Sequence, residues 1–387
     1  MTQLSRLSKL GIAREAVAGT YLVPNMWIPF TKAEFVDVYV PLRDESVRAN
    51  DTVLQGIYQG PVDATWSIDL MAYPDVTGHV LRGIIGPDTV TAGVSTTFAA
   101  SSAAGATSIS ATASVPTGST VMLQDAGGLN TEYAVVGTVT GAGPYALPIT
   151  TPSGGLKYAH TITTSTITST SSHSFKQNPA AARPTYSLLV WDTVSWLSYS
   201  YAAFSDLAIK IDPKAAVTLS AKLLSFPGVS ASSAVPTWTT LAPALGWQWA
   251  MTDAGGSSTR GLTLDYTIKR AVEAIQSSDG IQAPREVFAG ALEADGTLKT
   301  IFEASAELAL YTNNTQQPAV ATLVQPVSTG GCGSTLTLTM SQSGWTTGKR
   351  DLSPAYVQAD FSLQGIYNAT DGGAISATLT NYTSAAY

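Results

Sequence analysis

Three histidines, one cysteine and 27 carboxylates are the side chains from which chemistry would have to be built in this chain of 387 residues. His79, His160 and His173 lie in separate segments without metal-ligand spacing, and His79 reads as a residue on a helix face. Cys332 stands alone, which excludes an intramolecular disulfide framework and a zinc site built from cysteines. No Gly-x-Ser-x-Gly elbow marks a hydrolase serine. Gly330-Gly331-Cys332-Gly333 is rich in glycine, but a phosphate loop needs Gly-Lys-Ser/Thr, so the run reads as a turn before a strand at Thr335–Met340. Two carboxylates roughly 5–10 Å apart hydrolyse glycosides, yet that spacing is tertiary and no pair stands out. Trp191, Trp196, Tyr199 and Tyr201 crowd one hairpin, where rings fill a sandwich core or a subunit interface more often than they form a sugar platform. The residues indicate no catalytic site, no cofactor and no metal. The aromatics keep open one alternative, a secreted or surface β-sandwich that binds carbohydrate in the manner of an adhesin.

The elements that would carry any site are strands. Trp66, Ile68 and Leu70 alternate with Thr65, Ser67 and Asp69, and Leu262, Leu264, Tyr266 and Ile268 alternate with Thr263, Asp265, Thr267 and Lys269. Val217–Leu223 and Val357–Leu363 repeat the pattern, so each run predicts a strand with one apolar and one polar face. Helical spacing is confined to Val76–Ile85, stopped by Gly86-Pro87, and to Leu298–Leu308. Strand, long polar loop, strand, helix therefore occurs twice: Glu34–Val40, Ala64–Met71 and Val76–Ile85, then Leu262–Ile268, Arg285–Ala289 and Leu298–Leu308. That order predicts a duplicated unit. Between 90 and 172 the only charged residues are Asp125, Glu132 and Lys157, and short strands sit between Gly, Ser and Pro turns. This block predicts a small all-β domain inserted in a loop of the first unit.

Charged residues make up 12% of the chain, against about a quarter in an ordinary soluble domain. A surface so poor in charge suits a protein covered by other subunits. The net charge of −7 argues against tight nucleic-acid binding, which shows a basic footprint. No segment approaches the roughly 20 apolar residues of a membrane span. Met1–Glu15 lacks a signal-peptide apolar run, so synthesis in the host cytoplasm without conventional secretion is expected.

Particular residues carry a family resemblance. Gly11-Ile12-Ala13-Arg14-Glu15-Ala16-Val17-Ala18-Gly19-Thr20 with Trp27-Ile28-Pro29 resembles the N-terminal arm of the tail tube proteins of siphoviruses, bacteriophages with long non-contractile tails. Tyr73-Pro74-Asp75 with Leu81-Arg82-Gly83-Ile84-Ile85-Gly86 is similar to the helix after their second strand. Ala104–Ser110 and Lys157-Tyr158-Ala159-His160 resemble the start and end of an inserted module. The resemblance implies a mainly β fold, a barrel-forming sandwich with flanking short helices. Its subunits would be virion components that stack as rings into a hollow tube, through which DNA and the tape-measure protein pass, with terminator and tip proteins at the ends.

On that basis the expected organisation is an arm at 1–33, a first tube unit at 34–89 and 173–213, the insert at 90–172 on the tube exterior, and a second unit at 214–387. Two units per chain imply three chains in a pseudo-sixfold ring, with six chains as the alternative. Ring-stacking contacts are expected from Arg43, Asp44, Glu45, Arg48 and Asp51 in one loop and Lys269, Arg270, Glu273 and Asp279 in the other. A weakly negative lumen is expected from Asp37, Thr65, Ser67, Asp69, Thr263, Asp265 and Thr267.

Overall fold

Strand alternation is realised over unusual lengths. The computed structural model of the chain describes residues 4–162, 164–253, 256–258, 260–303 and 305–387. It begins with β1 (Lys9–Arg14) and the two-residue β2 (Met26–Trp27). A long hairpin of β3 (Phe30–Asp44) and β4 (Gly56–Met71) leads to helix α1 (Pro74–Ile84) and β5 (Asp88–Thr91). The next strands are β6 (Ser95–Thr97), β7 (Ser108–Ala111), β8 (Thr120–Asp125), β9 (Leu129–Val136), β10 (Tyr145–Thr150) and β11 (Thr166–Ser169). The chain returns through β12 (Ser171–Phe175), β13 (Tyr186–Trp191), β14 (Trp196–Ile211), β15 (Thr218–Ser225) and β16 (Val229–Ser230). After β17 (Trp249–Asp253) and β18 (Gly256–Ser258) comes a second long hairpin, β19 (Gly261–Ile275) and β20 (Glu286–Ile301). Helix α2 (Ala306–Thr312), β21 (Gln317–Val324), β22 (Thr335–Asp351), β23 (Gln358–Gly365) and β24 (Ser376–Asn381) complete it.

One antiparallel run, β3-β4-β15-β14-β19-β20-β23-β22, forms the first layer. The opposing layer contains β2-β1-β13-β14-β16 and β5-β12-β24-β22-β21-β17-β18. β14 and β22 belong to both layers. Each crosses from one to the other near a bulge, at Phe204/Asp206 and at Trp345/Thr347, the device by which strands turn sandwich corners. Trp66, Ile68, Leu70, Tyr266, Leu298 and Phe361 are all buried in the single core between the layers.

The chain is built twice over. β3 and β19 have 15 residues each, and β4 and β20 have 16. Bulges at Phe30/Lys32 and Tyr39/Pro41 recur at Gly261/Thr263 and Arg270/Val272, each 231 positions later. The irregularity at Tyr186/Leu188 between β13 and β14 recurs at Gln317/Ala319 between β21 and β22. β15 lies between β4 and β14 as β23 lies between β20 and β22. Hydrogen bonding therefore groups β15 with the first repeat, beyond the boundary drawn at 213. β1 is paired on both sides, with β13 and β2, and Glu15 accepts from Gly19 N–H, Thr185 Oγ1–H, Ser187 Oγ–H and Tyr201 N–H at 2.7–2.9 Å. Much of the expected arm is thus woven into the body.

The helix expected over Leu298–Leu308 is not there. β20 continues to Ile301 with Leu298 buried between open Thr297 and Lys299, and α2 starts at Ala306. Leu298, Ile301 and Phe302 fit both periods, and the alternation upstream of them decides for the strand. Helix α1 stands where the sequence places it, with Pro74 in its first turn. It lies close on β14 because residue 83 is glycine; an added Cβ would come 2.2 Å from the Phe204 ring.

Strands β6 to β11 form their own six-stranded sheet around a separate core of Phe98, Ile109, Val121, Leu123, Leu147 and Ile167. The paired β5 and β12 connect it to the second layer, and Tyr133 stacks on Tyr382 of the body at 5.7 Å. Buried His160 ties it together, with Nδ1 2.9 Å from Asp125 and Nε2 2.9 Å from Glu132. Burial opposes the imidazolium, but the two carboxylates outweigh it and raise the His160 pKa. Burial likewise opposes both carboxylates, and bonds from Ser165 and His160 to Asp125, and from His160 and two backbone N–H groups to Glu132, hold them below their ordinary range.

The signs of these shifts fix a pH window. The raised His160 stabilises the insert fully below its ordinary 6.5 and stops doing so as pH climbs through the raised value. The carboxylates stabilise it above their ordinary 3.8 and 4.5 and stop as pH falls through the lowered values. Amide protection in the insert should peak between those limits. His160→Gln should cost the insert about 2 kcal/mol and flatten the alkaline decline, measured by hydrogen exchange across pH.

Candidate self-assembly surface

The open face of the eight-strand layer follows directly from register. Thr65, Ser67 and Asp69 point away from the core on β4, and Thr263, Asp265 and Thr267 do so on β19. Asp37 does not join them. It lies opposite Ala64 on the core side and accepts a hydrogen bond from Gly228 N–H at 3.1 Å. Phe35 stacks on buried Trp66 with centroids 4.8 Å apart, and Asp37, two residues on, shares its face. The open side of β3 instead presents Lys32, Glu34, Val36 and Val38.

Charges on this face are opposed across strands. Lys32 faces Asp69, Lys222 faces Asp206, Asp206 faces Lys269, and Lys269 faces Glu293. Lys210 faces Asp265, Lys299 faces Asp360, and Asp360 faces Lys349. Each such pair contributes roughly 0.2–1 kcal/mol. Glu34, Asp63, Asp295 and Asp351 have no lysine opposite them, which leaves a small acidic excess, although Lys32 reaches Glu34 along its own strand at 2.9 Å. Burial raises the Asp265 pKa, against the pull of Lys210. Sequence periodicity finds the polar face but misses Lys210, Lys222, Asp206 and Lys299, because partners across a sheet come from distant segments.

Beyond the body the first hairpin projects. Val40, Leu42, Val47, Val53, Ile57 and Tyr58 are all at least half exposed, and Val47 is 97% exposed. A contiguous exposed apolar surface of this kind marks an interaction site. Arg43 and Asp44 end β3, and Glu45, Arg48 and Asp51 occupy the tip loop. Arg48 bonds Asp44 at 2.5 Å and Arg43 lies 4.0 Å from Glu45, so much of the loop's charge is satisfied within the loop. The run Val36–Leu42 held the misleading signal, since Val36, Val38, Val40 and Leu42 alternate as a core face would, yet all four are exposed. The neighbouring hairpin touches the first, with Val62 N–H donating to Gln282 O at 2.9 Å.

The second set of expected stacking residues divides. Asp279 sits in the loop between β19 and β20, accepting from Ser277 Oγ–H and Ile281 N–H, and Glu273 lies on the outer part of β19. Lys269 belongs to the open face already described. Arg270 is buried, and its guanidinium donates to Ile84 O at 3.1 and 2.9 Å, Ile85 O at 3.2 Å and Gly290 O at 2.6 Å. It satisfies the carbonyls that the end of α1 leaves free. Burial, then repulsion from Arg183, lowers its pKa to about 10.

The remaining candidates for chemistry are structural. His79 is buried in α1 beside Tyr186 and Tyr387, and burial with nearby Arg82 and Arg14 lowers its pKa to about 4. His173 bonds Asp88 at 2.9 Å and Thr383 O at 2.8 Å. Tyr199 packs edge-on against Trp66 in the core, and Trp191 and Trp196 pack on one another at 5.3 Å. Tyr201 covers Phe226.

A family model described as phage tail tube protein matches residues 5–331. No curated protein matches the chain.

Because Arg270 satisfies carbonyls inside one subunit, Arg270→Met should lower stability by about 3 kcal/mol in denaturant unfolding. Subunits that do fold should assemble normally.

Proposed function

The chain belongs to the phage tail tube protein family, a family of structural virion proteins, and from that premise we propose that three copies close into a ring of pseudo-sixfold symmetry. Rings stack into the hollow tail tube that DNA traverses during ejection. The observation that carries this reading is the β14–β19 junction, which joins the two repeats of one chain edge to edge. β3 pairs only with β4 among the described residues, and the last part of β22 only with β23, so each chain offers one further edge at either end. Three copies give 24 strands. Spaced about 4.8 Å apart and tilted by roughly 40°, these form a barrel about 50 Å across, wide enough for a DNA duplex. Six chains would double that width.

In this arrangement the open face of the eight strands lines the lumen, and the insert, attached to the opposite layer, decorates the exterior. The projecting hairpins reach along the tube and bury their apolar side chains in the next ring. A heterologous contact of this kind does not close, and so builds a filament. The tape-measure protein fills the lumen before DNA does, and terminator and tip proteins cap the ends. The subunit is made in the host cytoplasm and acts in the virion without catalysis.

Cryo-electron microscopy of tubes tests the central claim. Three chains per ring are expected, and six would overturn it. Deleting Ser46–Thr52 should leave rings that no longer stack into tubes; unimpaired elongation would remove the hairpin from the stacking contact.

A further inference from the structure

The repeat supplies the geometry of a contact that one chain cannot make alone. Bulge positions align β14 with β22, Phe204/Asp206 matching Trp345/Thr347, and β3 with β19, Phe30/Lys32 matching Gly261/Thr263. The internal junction pairs Leu207 with Ile268 and Ile209 with Tyr266 on the core side. Ile209 and Ile268 are fully buried there. At the free edges their counterparts are Arg350 and Asp37. Each edge thus carries one charge on its core side, positive on β22 and negative on β3. Inward-pointing charge is a known protection of an edge strand against indiscriminate pairing.

Transferring the internal register to two copies puts Gly348 opposite Asp37 of the next copy and Arg350 opposite its Phe35. Asp37 and Arg350 then stand diagonally on one face, with Cα atoms roughly 7–8 Å apart, a separation that a long side chain spans. The edges of two identical β3 strands, or of two β22 strands, would instead bring like charges together. On the open face the transferred register opposes Lys349 to Val36 and Asp351 to Glu34, whereas a slip of two in one direction would oppose Lys349 to Glu34 and Asp351 to Lys32. It would also leave Asp37 and Arg350 four positions apart, beyond each other's reach, while a slip of two the other way would set them directly opposite.

Resting on the ring proposed above, we infer that Asp37 of one copy and Arg350 of the next form the ion pair that selects the partner edge. Among the described residues of the free subunit Asp37 meets only Gly228 N–H as a hydrogen-bond donor, and Arg350 is exposed. The occupant of each edge is therefore a second copy of this chain.

Charge exchange and cross-linking test it together in the full chain. Asp37→Arg and Arg350→Asp should each cut ring yield by about tenfold or more, and the double variant should recover most of it. Val38→Cys with Thr347→Cys should form disulfide-linked rings, since those positions are opposed in the transferred register. Val36→Cys with Thr347→Cys, opposed only after a slip of two, should not. Failure of the double variant to recover, or preferential linkage of the slipped pair, overturns the ion pair. Wild-type rings in which neither pair links overturn edge-to-edge closure itself, and wild-type protein that never forms rings overturns the tube reading.

Discussion

Among the described residues β3 and the last part of β22 pair on one side only, and these two open edges are the constraint on which the rest of the structure turns. An open sheet must leave N–H and C=O groups unsatisfied at two edges, and a long flat edge invites any other strand. Here the exposure is acute, because only 12% of the chain is charged. Joining two units through β14 and β19 removes two edges inside every subunit. A ring of such subunits needs half as many intermolecular junctions as one built from single units. The low charge that would make an isolated sheet sticky becomes intelligible once the two remaining edges and the apolar hairpins are covered by copies of the chain.

Holding that sheet in shape falls to a small set of buried polar contacts and bulges. β14 and β22 must leave one layer and enter the other, and the bulges at Phe204/Asp206 and Trp345/Thr347 provide the bend. Arg270 then joins the second long hairpin of the chain to the end of α1 in the first repeat. Glu15 holds β1 and the turn after it against β13 and β14 with four donors. A buried group satisfied this completely is costly to disturb, because any movement strands a charge without its partners. Such contacts would hold the register of the wall in the proposed ring, while the insert keeps its own core and its own His160 lock.

Sequence reasoning read the alternation that sets Thr65, Ser67 and Asp69 against Trp66, Ile68 and Leu70, and with it the strand faces of β4 and β19. It read α1, the doubling of the unit and the inserted β block from punctuation and order. It failed where one residue's face depends on a contact elsewhere. Val36, Val38, Val40 and Leu42 alternate with Asp37 as a core face would, and Phe35 stacking on Trp66 shows that the valines face outward and Asp37 faces the core. Arg270 looks like a loop cation until its register with β20 and its reach to α1 are known. The charge pairs on the open face were illegible for the same reason, since Lys222, Asp206 and Lys269 meet only through sheet order.

That order gives the open face a property that net charge alone would not suggest. The chain carries −7 overall, and a wall showing that surplus uniformly would repel a polyanion along its whole length. A wall of lysines would hold it through counterion release. Alternating lysine and carboxylate across the strands does neither. Opposite charges on adjacent strands lie about 5 Å apart, so their fields cancel within a comparable distance, and salt screens what is left beyond about 8 Å. In the tube proposed above, a duplex would meet a potential that is nearly flat and slightly negative from Glu34, Asp63, Asp295 and Asp351. The same pairs stabilise the sheet itself, so a single arrangement of side chains would give a wall built from it both its strength and its indifference to the DNA inside.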